Sequence, residues 1–120
     1  MSFKNILFYF LPPILWAVFI LAICLMPSRE IPSFSLFEAD KPVHIAVYFI
    51  LSFLSFRAFS KSAVHISMPN SLALLTVIVG YGFFVELAQE ALTADRHFDI
   101  WDAVANALGV VLFIILKQLR

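Results

Sequence analysis

The 21 residues from 6 to 26 contain no charged side chain, and this stretch restricts the possible folds more than any other feature. At 1.5 Å per residue, a helix of this length crosses a hydrocarbon core of about 30 Å. Three further apolar stretches cover residues 42–59, 71–92 and 99–117. In lipid, backbone polar groups must pair within the protein, and an α-helix pairs them within one segment. The sequence predicts an all-α, polytopic membrane protein, with residues 1–120 forming one bundle of four transmembrane helices.

Composition supports this prediction and excludes some partners. Hydrophobic residues make up 62% of the chain, against roughly 45–50% in soluble domains. The last three apolar stretches are shorter than the first, but a soluble bundle of 120 residues could not bury so many apolar side chains. Eight basic and eight acidic residues give a net charge of zero, so we expect no nucleic-acid partner.

Prolines and glycines suggest where the later helices start and pack. Asp40 and Pro42 are typical of a helix start, because aspartate caps a helix and proline is tolerated in its first turn. Ser71 follows a proline-containing turn and is predicted to cap the third helix. Gly80 and Gly82 are expected to allow a neighbouring helix to approach closely.

Basic residues indicate the orientation of the chain. With the N-terminus in the cytoplasm, five basic residues lie inside and three lie outside. The inside set is Lys4, Arg57, Lys61, Lys117 and Arg120, and the outside set is Arg29, Lys41 and Arg96. Since Lys and Arg concentrate in cytoplasmic loops, we predict that both termini are cytoplasmic.

Polar residues concentrate in residues 82–109, where apolar helices are otherwise predicted. Five of the eight carboxylates follow residue 85. Glu86 and Gln89 share one helix face, as do Asp99 and Asp102. By helical rise, Glu86 and Asn106 lie roughly 9–10 Å below their helix ends. The sequence therefore predicts a polar cleft at the outer leaflet, since polar groups within apolar helices are more often functional than not.

Three motif blocks resemble those of a known family. They are Asp40-Lys41-x-x-His44-x-x-x-Tyr48, Gly82-x-x-x-Glu86-x-x-Gln89 and Arg96-x-x-Asp99-x-x-Asp102-x-x-x-Asn106-x-x-Gly109. The pattern resembles the VanZ-like family of bacterial integral membrane proteins, and its matching positions cover residues 40–109. The resemblance implies a place in the bacterial cytoplasmic membrane. It also implies a link to the cell envelope and to antibiotic resistance, because the family is named for a protein associated with teicoplanin resistance.

The residues suggest distinct chemical roles within the predicted cleft. His44 or Glu86 could act as a general base, and Asp99 with Asp102 could hold a divalent metal. The remaining motif residues are candidates for ligand binding, namely Asp40, Lys41, Tyr48, Gln89, Arg96 and Asn106.

Three functions remain open from the sequence. The favoured one is binding of the polar head of an envelope amphiphile, such as a lipid-linked precursor or a lipoglycopeptide, with the helices holding its tail. The second is a membrane-embedded, metal-assisted enzyme acting on a lipid-linked envelope substrate. In the third, the polar groups only tie the helix ends together.

Overall fold

Four α-helices make up most of the described chain. The computed structural model describes residues 2–25, 40–61, 68–93 and 99–119. Its helices are α1 (Phe3–Cys24), α2 (Asp40–Lys61), α3 (Met68–Leu92) and α4 (Ile100–Gln118). Each is long and apolar enough to cross a membrane, and the described residues include no strand. The predicted all-α fold with four candidate spans is confirmed.

The helix boundaries lie within three residues of the predicted spans, and the largest differences are at the start of α1 and at the start of α3. This helix begins at Met68, three residues before the predicted cap at Ser71. Pro69 lies in its first turn, where a missing N–H costs no helical hydrogen bond, so the proline does not delay the helix. Pro42 occupies the first turn of α2 for the same reason.

The centre of the bundle is α2, which packs against all three other helices and most extensively against α4. A side chain at Gly109 of α4 would collide with the carbonyl oxygen of Ile45 on α2, so only glycine permits this approach. Further along, Phe113 packs against Phe49 and Phe56, with ring centroids 5.8 Å and 5.3 Å apart. The α2 and α4 helices therefore run side by side in the same direction.

Two hydrogen bonds from aromatic side chains attach α1 to the bundle. The indole Nε1 of Trp16 donates to the carbonyl oxygen of Val47 on α2 at 3.0 Å. The hydroxyl of Tyr81 on α3 donates to the carbonyl oxygen of Ala17. Buried indole and phenol groups usually need such partners, and here both are satisfied by the backbone.

The described surface is largely apolar, whereas polar side chains are buried. Phe8, Val77 and Trp101 are each more than 60% exposed. Among the described residues, six polar side chains are buried: Ser52, Ser55, Glu86, Gln89, Asp102 and Asn106. This distribution suits a lipid environment, in which apolar groups face outwards and polar groups pair inside.

The two ends of the bundle differ in charge. We call the end where α1 and α3 finish and α2 and α4 begin the polar end. The opposite end is the basic end, because it carries all four Lys and Arg side chains that the structure describes: Lys4, Arg57, Lys61 and Lys117. Lys117 lies over the Phe56 ring at 4.3 Å from its centroid.

Candidate functional site

A cluster of titratable side chains from three helices lies near the polar end. His44 of α2, Glu86 of α3 and Asp102 of α4 each offer one ligand atom, and these atoms lie within 4.8 Å of one another. His44 and Asp102 lie near the start of their helices, and Glu86 lies within two turns of the end of α3. Because α2 and α4 begin at the same end of the bundle where α3 finishes, the three residues come together there. The cluster thus unites residues from all three motif blocks.

His44 links this cluster to Asn106. Its Nδ1 lies 2.7 Å from Asn106 Oδ1, and its Nε2 lies 3.8 Å from Asp102 Oδ2. In this orientation of the Asn106 amide, Oδ1 accepts the hydrogen bond and His44 Nδ1 donates it. In the neutral imidazole, Nε2 then presents its lone pair towards Asp102.

Two polar groups beside the cluster have potential donors that remain unused. Among the described residues, neither the Tyr48 hydroxyl nor Asn106 Nδ2 has a hydrogen-bond partner, although both side chains are 2% exposed. A buried donor without a partner costs roughly 1–3 kcal/mol. Retaining two such donors next to three titratable groups indicates a place for a ligand atom.

Gly82 makes room for this arrangement on α3. A Cβ atom at this position would lie 3.1 Å from Asn106 Nδ2 and 3.2 Å from Tyr48 Cε1. These separations are tighter than ordinary van der Waals contact, so a larger residue would displace both side chains. Gly80, expected to serve the same purpose, has nothing within 4 Å of a Cβ atom. The predicted close approach therefore applies to Gly82 and not to Gly80.

The cluster is less exposed to its surroundings than the open cleft predicted from the sequence. Glu86 is 0% exposed, whereas the side chains of His44 and Asp102 retain 15% and 11% exposure. His44 and Asp102 therefore form the most accessible side of the cluster. The enclosed part is suited to a single ion or a small polar group, with any larger head group lying outside it.

Two predicted site residues make structural contacts elsewhere. Gln89 Nε2 donates to the carbonyl oxygen of Cys24 at 3.0 Å, which joins α3 to the end of α1. Asp99 is the N-cap of α4, and its Oδ1 accepts from the Trp101 backbone N–H at 2.9 Å. The three-residue cluster contains Asp102 but not Asp99, because a capping side chain folds back on its own helix.

For three predicted ligand-binding residues, the structure does not describe the side chain. Asp40 and Lys41 are the first residues of α2 and therefore belong to the polar end, but their side chains are outside the described part of the structure. Arg96 lies outside the described residues altogether.

A separate apolar cavity lies between α1, α2 and α3. Its volume is about 290 Å³, and its lining includes Leu51 and Tyr81. Leu51 follows Tyr48 by one helical turn, and Tyr81 precedes Gly82 directly. The cavity therefore begins about one turn from Tyr48, towards the basic end. Neither the composition nor the motif spacing indicated it.

Comparison of the chain with models of protein families, with curated proteins and with solved structures finds no match.

Proposed function

We propose that this protein binds the polar head of an envelope amphiphile at the cluster of His44, Glu86 and Asp102. The amphiphile is a lipid-linked precursor or a lipoglycopeptide. The protein lies in the bacterial cytoplasmic membrane with both termini in the cytoplasm, so that the polar end faces the outer leaflet. The resemblance to the VanZ-like family supports this location.

The observation that carries the proposal is the pair of unused donors beside the cluster. The Tyr48 hydroxyl and Asn106 Nδ2 are buried without partners among the described residues. An oxygen atom of a head group would satisfy both donors, whereas helix packing alone gains nothing from leaving them unpaired. A purely structural role for the polar set does not account for them.

The apolar cavity gives the proposal a second support. Its volume of about 290 Å³ holds roughly ten methylene-sized groups, if each occupies ~30 Å³ as a water molecule does. It begins about one turn from Tyr48. It is a candidate place for the first part of a chain attached to that head group.

Binding can be measured on the protein in lipid nanodiscs with two probes, a polyprenyl-linked saccharide precursor and teicoplanin. We expect one of them to bind the wild type and to bind Tyr48→Phe and Asn106→Leu at least about tenfold more weakly, the equivalent of losing one hydrogen bond. Tyr9→Phe is the matched control, because Tyr9 lies near the basic end of α1 and is not among the residues that line the cavity. Equal binding by wild type and both site variants, or no binding of either probe, contradicts the proposal.

A membrane-embedded enzyme acting on a lipid-linked envelope substrate is the second candidate. It is favoured by the proximity of His44, Glu86 and Asp102, which places two candidate bases within 4.8 Å of a further carboxylate. Incubation of the polyprenyl-linked precursor with the purified protein tests it. If the wild type forms product, and Glu86→Gln still binds the precursor but forms none, the enzyme hypothesis is favoured over the binding hypothesis.

A further inference from the structure

We infer that His44, Glu86 and Asp102 form a binding site for one divalent transition-metal ion, of which Zn²⁺ is the best-suited example. The donor set is one imidazole nitrogen and two carboxylate oxygens, contributed by three helices. Three protein ligands of this kind leave a fourth position open for a water molecule or a head-group oxygen. This set differs from the pair Asp99 and Asp102 expected from sequence spacing.

The separations suit a metal after a small adjustment. The three ligand atoms lie within 4.8 Å of one another. In a tetrahedral zinc site with metal–ligand distances of about 2.0–2.2 Å, neighbouring ligand atoms are about 3.4 Å apart. A contraction of at most about 1.4 Å, within the reach of side-chain rotation on fixed helices, therefore closes the site.

The orientation of His44 matches that of a metal ligand. Its Nδ1 donates to Asn106 Oδ1 at 2.7 Å, so the Nε2 lone pair points to the side where Asp102 lies. Histidines that bind metals usually donate their other ring N–H to an oxygen acceptor, which fixes both tautomer and ring orientation. Asn106 is thus a positioning residue for His44.

Charge and hydrogen bonding favour a cation at the same point. With a neutral His44, the two carboxylates bring two negative charges into a largely buried region, and a divalent cation neutralises them. Asn106 Nδ2 and the Tyr48 hydroxyl are buried and have no hydrogen-bond partner among the described residues. Both residues lie beside His44, Asn106 through its bond to the ring and Tyr48 one turn further along α2.

The ion can also bridge the protein and its ligand. A phosphate or another anionic head group would be repelled by Glu86 and Asp102, whereas a bound metal attracts it. This bridging role rests on the proposed function. The metal site itself does not, so a test with the metal alone separates the two.

The experiment uses chelator-treated full-length protein in nanodiscs. Zn²⁺ binding is measured by competition with a chromophoric chelator and by elemental analysis after desalting, with Mg²⁺ as the comparison ion because imidazole favours zinc. We expect one Zn²⁺ per chain, with affinity reduced by more than about tenfold in His44→Gln, Glu86→Gln, Asp102→Asn and Asn106→Leu. Glu90→Gln, which changes an exposed carboxylate one turn from Glu86, should bind as the wild type does.

Measurements on the wild type keep the inference testable even where a variant misfolds. Co²⁺ in place of Zn²⁺ should give the visible absorption bands of a four-coordinate site, and these should disappear on addition of one equivalent of Zn²⁺. Less than one bound Zn²⁺ per wild-type chain overturns the site. Undiminished binding in folded Glu86→Gln and Asp102→Asn proteins overturns its location. Stoichiometric Zn²⁺ without binding of either amphiphile probe supports the metal site and rejects the head-group function.

Discussion

His44 on α2 and Asn106 on α4, 62 residues apart in sequence, are joined by a 2.7 Å hydrogen bond between Nδ1 and Oδ1. Because Oδ1 is an acceptor only, this bond sets which ring nitrogen carries the proton. The second ring nitrogen is thereby available to Asp102 and to whatever the cluster binds. The contact connects the first and third motif blocks and gives each a defined chemical role.

Removal of the Tyr48 hydroxyl is expected to separate stability from function. Tyr48→Phe eliminates a buried donor that has no partner among the described residues, so the ligand-free protein should unfold at an equal or higher temperature. Ligand binding should weaken. Tyr81→Phe should instead lose about 0.5–1.5 kcal/mol of stability, because its hydroxyl donates to the carbonyl oxygen of Ala17. Thermal unfolding in nanodiscs and ligand titration measure both. Destabilisation by Tyr48→Phe would mean that its hydroxyl is already paired.

Two glycines on α3 provide a matched pair for the packing of the site. In Gly82→Ala the new methyl group meets Asn106 and Tyr48 at 3.1–3.2 Å, so these side chains must shift and ligand affinity should fall. Such overpacking typically costs about 1–3 kcal/mol. In Gly80→Ala the methyl group meets nothing within 4 Å, and no loss is expected. The measurements are the unfolding temperature and the ligand affinity of the two variants. If Gly82→Ala and Gly80→Ala have the same unfolding temperature and the same affinity, the close approach at Gly82 is contradicted.

Asp99 is expected to act as a helix cap and not as a metal ligand. Asp99→Ala should reduce stability by about 1 kcal/mol, whereas Asp99→Ser retains a capping oxygen and should restore most of it. Both variants should bind Zn²⁺ as tightly as the wild type. If Asp99→Ser keeps its stability but binds Zn²⁺ more weakly than the wild type does, Asp99 is a metal ligand.

Shape-preserving changes in the cluster separate a functional site from a scaffold. Glu86→Gln, Asp102→Asn and His44→Gln retain hydrogen-bonding capacity while changing charge or proton chemistry. We expect each to purify at near wild-type yield, since hydrogen bonds alone stabilise by only ~1 kcal/mol each, but to lose the ligand. Size-exclusion profiles, binding and survival on teicoplanin are the measurements. Folded variants with full binding and full survival would leave the polar set a structural role only.

Orientation is tested with single cysteines in a Cys24→Ala background. Cysteines at Ser35 and Asp95 should react with a membrane-impermeant thiol reagent added to spheroplasts, whereas one at Ser62 should not. The physical reason is the five-to-three excess of basic residues on the predicted cytoplasmic side. Labelling restricted to Ser62 would place the polar end in the cytoplasm and contradict binding at the outer leaflet.

Much of the helical architecture could be predicted because it depends on local properties. An apolar stretch of about 20 residues must form a helix in lipid, whatever surrounds it, since its backbone has no other partner. Helical spacing likewise placed Glu86 and Gln89 on one face, and Asp99 and Asp102 on another. The boundary error at Ser71 arose because Pro69 was taken to precede a helix that in fact includes it.

The contacts of these faces could not be predicted, because they depend on how the helices are rotated and how deeply each one sits. Gln89 and Glu86 are about one turn apart, but Gln89 contacts the end of α1 and Glu86 lies beside His44. In the same way, Asp99 caps α4, whereas Asp102, one turn later, belongs to the cluster. Two residues along α3 separate a glycine in open space from one that contacts Tyr48 and Asn106. Sequence periodicity specifies positions around a single helix axis. Packing between helices decides which of those positions meet, since each side chain can approach only the neighbours that the close-packed interior leaves beside it.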